Sequence, residues 1–128
     1  MKDQVRNDRT TDLGVVRINN EAITTIASIA AMDIKGVHKM GGGLTGTLCE
    51  IFSRRRGTAG VKIRMKDSEV RLTVAIIVEY GVDIPRIADE VQQCVKLSVE
   101  KMTGLVLSEV DVVVEGVRTP AHANLKED

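Results

Sequence analysis

The sequence predicts an α+β fold, a two-layer sandwich in the order β-α-β-β-α-β, with two helices on one face of a four-stranded sheet that is mixed or mostly antiparallel. Three observations predict it. From Gly60 to Val117 the apolar positions alternate, then recur at helical spacing, then alternate again, and each switch falls at a Gly, Pro or Asp. Two helical stripes are long enough to cover one face of such a sheet. Little apolar sequence remains to cover the other, so one face should stay open.

Leu13 to Ile18 is short and rich in β-branched residues, which suits a first strand. Asn19 or Asn20 can then accept a hydrogen bond from the free amides that open a helix. Ile23, Ile26, Ala30 and Ile34 recur at three, four and four, one helical face, which Ile29 and Met32 broaden. Gly36 ends that helix, and Val37 to Met40 leads into Gly41, Gly42 and Gly43.

Residues 41–59 hold four of the chain's eleven glycines near their start and have weak periodicity, so a mobile loop rich in Gly and Arg is expected there. Leu44, Leu48, Ile51 and Phe52 could add one or two helical turns within it. Val61, Ile63 and Met65 alternate with Lys62, Arg64 and Lys66. After a turn at Asp67 and Ser68, Val70 to Val78 alternate again, which makes a hairpin with one buried face.

Gly81 closes the hairpin, and Pro85 sits where a first helical turn tolerates a missing amide. Ile84, Ile87, Ala88, Val91, Val95, Val99 and Met102 then trace the stripe of the second helix. Gly104 is placed to stop it in the left-handed conformation. The last strand runs from Leu105 to Val117. The domain is therefore expected over residues 13–118, between flexible tails at 1–12 and 119–128.

With 128 residues the chain can build one ordinary core. No apolar run approaches the roughly 20 residues of a membrane span, which argues against direct membrane insertion. Residues 1–12 lack the apolar stretch of a secretory signal, so a cytoplasmic location is expected. Cys49 and Cys94 show no CxxC spacing and read as free thiols. His38 and His122 lack the closely spaced Cys, Asp or Glu partners of a metal site or a general base. No pattern asks for a cofactor, and no carboxylate pair stands out for acid-base work.

Charge is balanced, with 18 basic and 18 acidic side chains, so no global field concentrates nucleic acid. The only aromatic residues are Phe52 and Tyr80, which leaves almost no platform for stacking bases. The run Arg54, Arg55, Arg56 beside the Gly-rich loop offers an alternative anion-binding or nucleic-acid-binding site. The P-loop pattern is not met, because the glycines follow a helix and no Lys comes next.

The open sheet face is the more suggestive feature. A two-residue turn at Asp67 and Ser68 puts Arg64 opposite Arg71, an unfavourable pairing unless something negative lies near. The candidate contact residues are Lys62, Arg64, Arg71, Ala75, Ile77, Asp111, Val113 and Glu115, with Glu79 and Val117 on the same face. Such a face is basic at one end, apolar in the middle and acidic at the other, which suits self-association. An ordinary solvated sheet face is the competing reading.

Several segments resemble the alkaline shock protein family, also called the Gls-type envelope stress response family, of mainly Gram-positive bacteria. They are Gly14 to Ile18, Gly36-Val37, Gly60 to Ile63, Tyr80-Gly81, Ile84-Pro85, and Met102 to Leu105 followed by Val110 to Val114. The resemblance covers Leu13 to Arg118. It implies a cytoplasmic, non-enzymatic protein of envelope homeostasis and of the alkaline or general stress response. It further implies a homo-oligomer and, in some members, a membrane-anchoring protein as partner, with peripheral membrane association through it. It supplies no catalytic residues. The arginine run and the Gly-rich insertion depart from the family's pattern.

Overall fold

The computed structural model describes residues 9–42, 60–66 and 69–120. Its elements are β1 (Arg9–Thr11), β2 (Gly14–Val16), α1 (Asn20–Met32), β3 (Val37–Met40), β4 (Val61–Lys66), β5 (Glu69–Glu79), α2 (Ile84–Thr103) and β6 (Leu107–Arg118). The expected α+β class holds, with both helices packed over one face of a mixed sheet.

β5 is the central strand. β6 runs parallel along one of its edges, from Val70 opposite Leu107 to Glu79 opposite Arg118. β3 and β4 both run antiparallel to β5 along the other edge, β3 beside Ile76 to Val78 and β4 beside Glu69 to Val74. They meet at Ala75, whose carbonyl accepts from the Gly41 amide at 2.8 Å and whose amide donates to the Gly60 carbonyl at 2.7 Å. β3 and β4 are thus two halves of one edge, and among the described residues the sheet is three strands wide. The turn expected at Asp67 and Ser68 and the loop expected at 41–59 lie outside the described residues, apart from Gly41 and Gly42 at the loop's start.

Two strand assignments change. Gly14–Val16, expected in the main sheet, pairs instead with Arg9–Thr11 in a separate hairpin, so part of the segment expected as a tail is a strand. Leu13, Val15 and Val16 are all exposed, so this hairpin buries no face in the core. The fourth strand of the main sheet is Val37–Met40, which fills the stretch of β5 that β4 does not reach.

The core is aliphatic. Ile23, Leu72, Val74, Ile76, Val78, Ile87, Val91, Val95 and Val99 are essentially sealed from solvent, and each such side chain contributes roughly 1.5–3 kcal/mol of transfer free energy. In α1 the buried face is rotated from the expected stripe. Ala27, Ala30 and Ala31 are buried, whereas Ile29 and Met32 are exposed, because small side chains let α1 approach α2 closely. Asn19 is the N-cap of α1 but makes no side-chain cap bond. The α2 stripe is as expected from Ile87 to Val99, but Ile84 and Met102 at its ends are exposed and Thr103 is buried. Asp83 caps α2 by accepting from the Arg86 amide, and Gly104 ends it at φ 81°.

Candidate interaction surface on the open sheet face

Alternation along β4, β5 and β6 sends one set of side chains into the core and the other set outward. The registers then assemble the outward set into rows that cross the sheet. Arg64, Arg71 and Glu109 form one row, Lys62, Thr73 and Asp111 the next, and Gly60, Ala75 and Val113 a third. All eight candidate contact residues lie on this face. The charge runs from a basic edge, with Lys62, Arg64 and Lys66 on β4, to an acidic edge, with Glu109, Asp111 and Glu115 on β6. The polarity is therefore set across the strands, from edge to edge.

Arg64 does stand opposite Arg71. Arg71 is half-buried and leans the other way, with Nε 3.8 Å from the Glu109 carboxylate. The repulsion is relieved by a charge on the third strand, which no local pattern in β4 or β5 announces.

The middle of the face is a shallow groove of about 490 Å³, lined by residues that include Gly42, Gly60, Lys62, Ala75, Val113 and Glu115. Ala75 forms part of its floor and is only 7% exposed, so it is less accessible than expected. Val113 is 44% exposed and Ile77 is half-buried. Glu115 Oε1 accepts from the Gly42 amide at 2.7 Å, tying β6 across the face to the end of β3.

A bulge in β6 moves one expected residue off the face. Ile76 stands opposite Val114 and Ile77 opposite Gly116, so Glu115 is the extra residue. Val117 then falls opposite Val78, a core position, and leaves the outward row. Arg118 takes the outward place beside Glu79.

At this end the structure brings together three side chains that sequence spacing kept apart. Arg118 Nη1 donates to Glu79 Oε1 at 3.1 Å, and His38 Nδ1 lies 3.3 Å from Glu79 Oε2. His38 has no carboxylate near it in the sequence, and only the pairing of β3 with β5 reveals Glu79 as its partner. Exposed pairs of this kind contribute about 0–1 kcal/mol each.

Arg54, Arg55 and Arg56 lie outside the described residues, as does Cys49. Cys94 is a half-buried free thiol that donates to the Ala30 carbonyl at 3.6 Å. Among the described residues, no group of three His, Cys, Asp or Glu side chains is arranged to hold a metal ion. No described helix is long and apolar enough to cross a membrane.

Residues 8–119 match the alkaline shock protein 23 family, which is described as having a cell envelope-related function. The chain is 33% identical over 113 residues to the uncharacterized protein YqhY of Bacillus subtilis, an alignment covering 88% of this chain and 84% of that one. It is 25% identical over 107 residues to a stress response regulator gls24 homolog of Streptococcus pyogenes, covering 83% of this chain and 60% of that longer one. Among solved structures the MamM CTD aligns at a TM-score of 0.46 and 15% identity, over 76% of this chain and 96% of that one. A likeness at that score carries no functional argument.

Proposed function

The chain belongs to the alkaline shock protein 23 family, of cell envelope-related function, and from that premise we propose that it acts without catalysis, as a cytoplasmic scaffold. It associates with itself, and with an envelope-linked partner that brings it to the membrane periphery, through the open face of its sheet. The stress-regulator name of the streptococcal relative supports a role in the stress response.

One observation carries this reading. None of the described helices covers the outer sheet face, and its charge is separated by strand, basic on β4 and acidic on β6, with Ala75, Ile77 and Val113 between. Separated charge with an apolar centre is the arrangement that complementary surfaces use to fix register while burying the middle.

Sedimentation velocity from dilute to concentrated solution tests it. The expected result is a mass that rises above the monomer with concentration, and a monomer at every concentration for Ile77→Glu. A wild-type chain that stays monomeric throughout, or an Ile77→Glu chain that associates like wild type, would overturn the sheet-face reading.

A further inference from the structure

Both edges of the sheet lack a strand partner among the described residues: β4 pairs with β5 alone, and β6 pairs with β5 alone. We propose that they are partners for each other between copies, the β4 edge of one chain adding antiparallel to the β6 edge of the next. This rests on the self-association proposed above and adds a second contact, along the strand edges, to the one on the open face.

Backbone direction supports the match. Gly60 turns its carbonyl toward β5 to accept from Ala75, so by alternation Val61, Ile63 and Met65 turn their amides and carbonyls to the free edge. On β6 the Val110 carbonyl turns away from β5 and accepts from Gln92 Nε2 at 3.0 Å. Val112 and Val114 must turn their backbone groups the same way, and no described side chain caps them. The α2 side chains Gln92, Lys96 and Glu100 occupy the edge only from Leu107 to Val110. Among the described residues the rest is an open ladder.

In antiparallel register, Met65 stands opposite Val112 and Ile63 opposite Val114 as hydrogen-bonded pairs. On the core side this joins incompletely covered apolar side chains from both edges, since Met65 is 37% exposed and Ile63, Val112 and Val114 are half-buried. On the open face the same register puts Lys66 opposite Asp111, Lys62 opposite Glu115 and Arg64 over Val113, flanked by both acids. Opposite charges directly across a strand pair are favourable and like charges are not. Pairing β4 with β4 would oppose cations, and pairing β6 with β6 would oppose carboxylates. The charge pattern therefore selects the head-to-tail contact. Such a contact is heterologous and does not close on itself with two copies, so it extends the sheet from chain to chain.

The test uses the full chain with Cys49 and Cys94 replaced by serine. Lys66→Cys and Asp111→Cys are introduced singly and together. Within one chain these positions lie two strands apart and pair with β5 at Glu69 and Thr73, four residues from each other, a separation of roughly 16 Å that is beyond the reach of a disulfide, so any cross-link joins two copies. Mild oxidation of the double variant is expected to give a ladder of dimers, trimers and larger species on non-reducing gels, while each single variant gives none. A ladder missing from a chain that still self-associates by sedimentation overturns the edge contact and leaves the sheet-face reading standing. A dimer from Asp111→Cys alone overturns it in favour of β6 against β6. A wild-type chain that is monomeric at every concentration overturns both. As an independent readout, Lys66→Asp and Asp111→Lys are each expected to sediment as smaller assemblies than wild type at equal concentration and to regain the wild-type size when mixed. Failure of the mixture to regain that size counts against the pairing.

Discussion

The backbone amide of Leu107 donates to the Glu100 carboxylate at 2.7 Å, clamping the last turn of α2 to the first residue of β6. The same oxygen accepts from Lys96 Nζ at 2.8 Å, and Lys96 also donates to the Leu107 carbonyl at 3.1 Å. One carboxylate thus holds both sides of the turn through Gly104. The hydrogen bond from Lys96, and after it the Leu107 amide, hold the Glu100 carboxyl below the ordinary glutamate range, against the opposing effect of burial.

Glu100→Gln keeps the shape and removes the charge. It is expected to lower stability at neutral pH by about 1–2 kcal/mol, less than a hydrogen bond to a fully buried charged group because solvent screens this site. Because the folded-state carboxyl titrates below its unfolded value, its contribution is complete above the usual glutamate range and disappears as pH falls through the lower, folded value. Urea unfolding at a series of pH values should show the gap between wild type and Glu100→Gln closing in acid. A gap independent of pH would remove the carboxylate from this role.

Gly60 sits at φ +85°, where side chains are rarely accommodated, and an added Cβ would lie 3.0 Å from the Ala75 carbonyl and 3.2 Å from the Gly41 carbonyl. Both are backbone atoms of the junction between β3 and β4, and backbone cannot swing aside. Gly60→Ala is expected to cost about 1–3 kcal/mol, read as a lower denaturation midpoint with an unchanged slope.

Leu72 is fully buried at the centre of β5, between Ile63 on one side and Val110 on the other. Leu72→Ala is expected to lose about 2–5 kcal/mol, enough to unfold a marginal domain. Retention of most of the stability in a thermal melt would mean that the core closes over the vacancy.

Thr103 is buried at the end of α2, where its Oγ1 donates to the Val99 carbonyl at 2.6 Å and accepts from the Leu105 amide at 3.1 Å. Thr103→Val keeps the volume but strands that amide. A loss of about 1–3 kcal/mol is expected, whereas Thr103→Ser, which keeps the hydroxyl, should recover most of it. Chemical denaturation of the two variants separates the bond from the packing.

The sequence reads most clearly where a period is long and local. The Ile87 to Val99 stripe and the alternation of β4 and β5 predict their elements closely, and the resemblance to the alkaline shock family holds. β3 was harder, since four residues carry little period and its place depends on the part of β5 left open. The buried face of α1 depends on α2, more than sixty residues away, which favours alanines at the contact over Ile29 and Met32. For the surface, alternation gave the outward set. The edge-to-edge polarity needed strand order, and the departure of Val117 needed a bulge at Glu115 that no residue type flags. The pairing of His38 with Glu79 likewise arises only from register.

The junction at Ala75 also bears on how this chain tolerates change. The backbone leaves the sheet after Gly41 and returns at Gly60, and a Cβ built on Gly60 would lie 3.3 Å from the Gly41 amide nitrogen. What lies between in sequence begins and ends at one point, so its length is decoupled from the geometry of the sheet. Holding the two ends of a flexible segment together costs only about 0.6 kcal/mol more for each doubling of its length. The edge strand therefore behaves as a splice site, where sequence can be inserted, shortened or exchanged while both halves keep their register on β5.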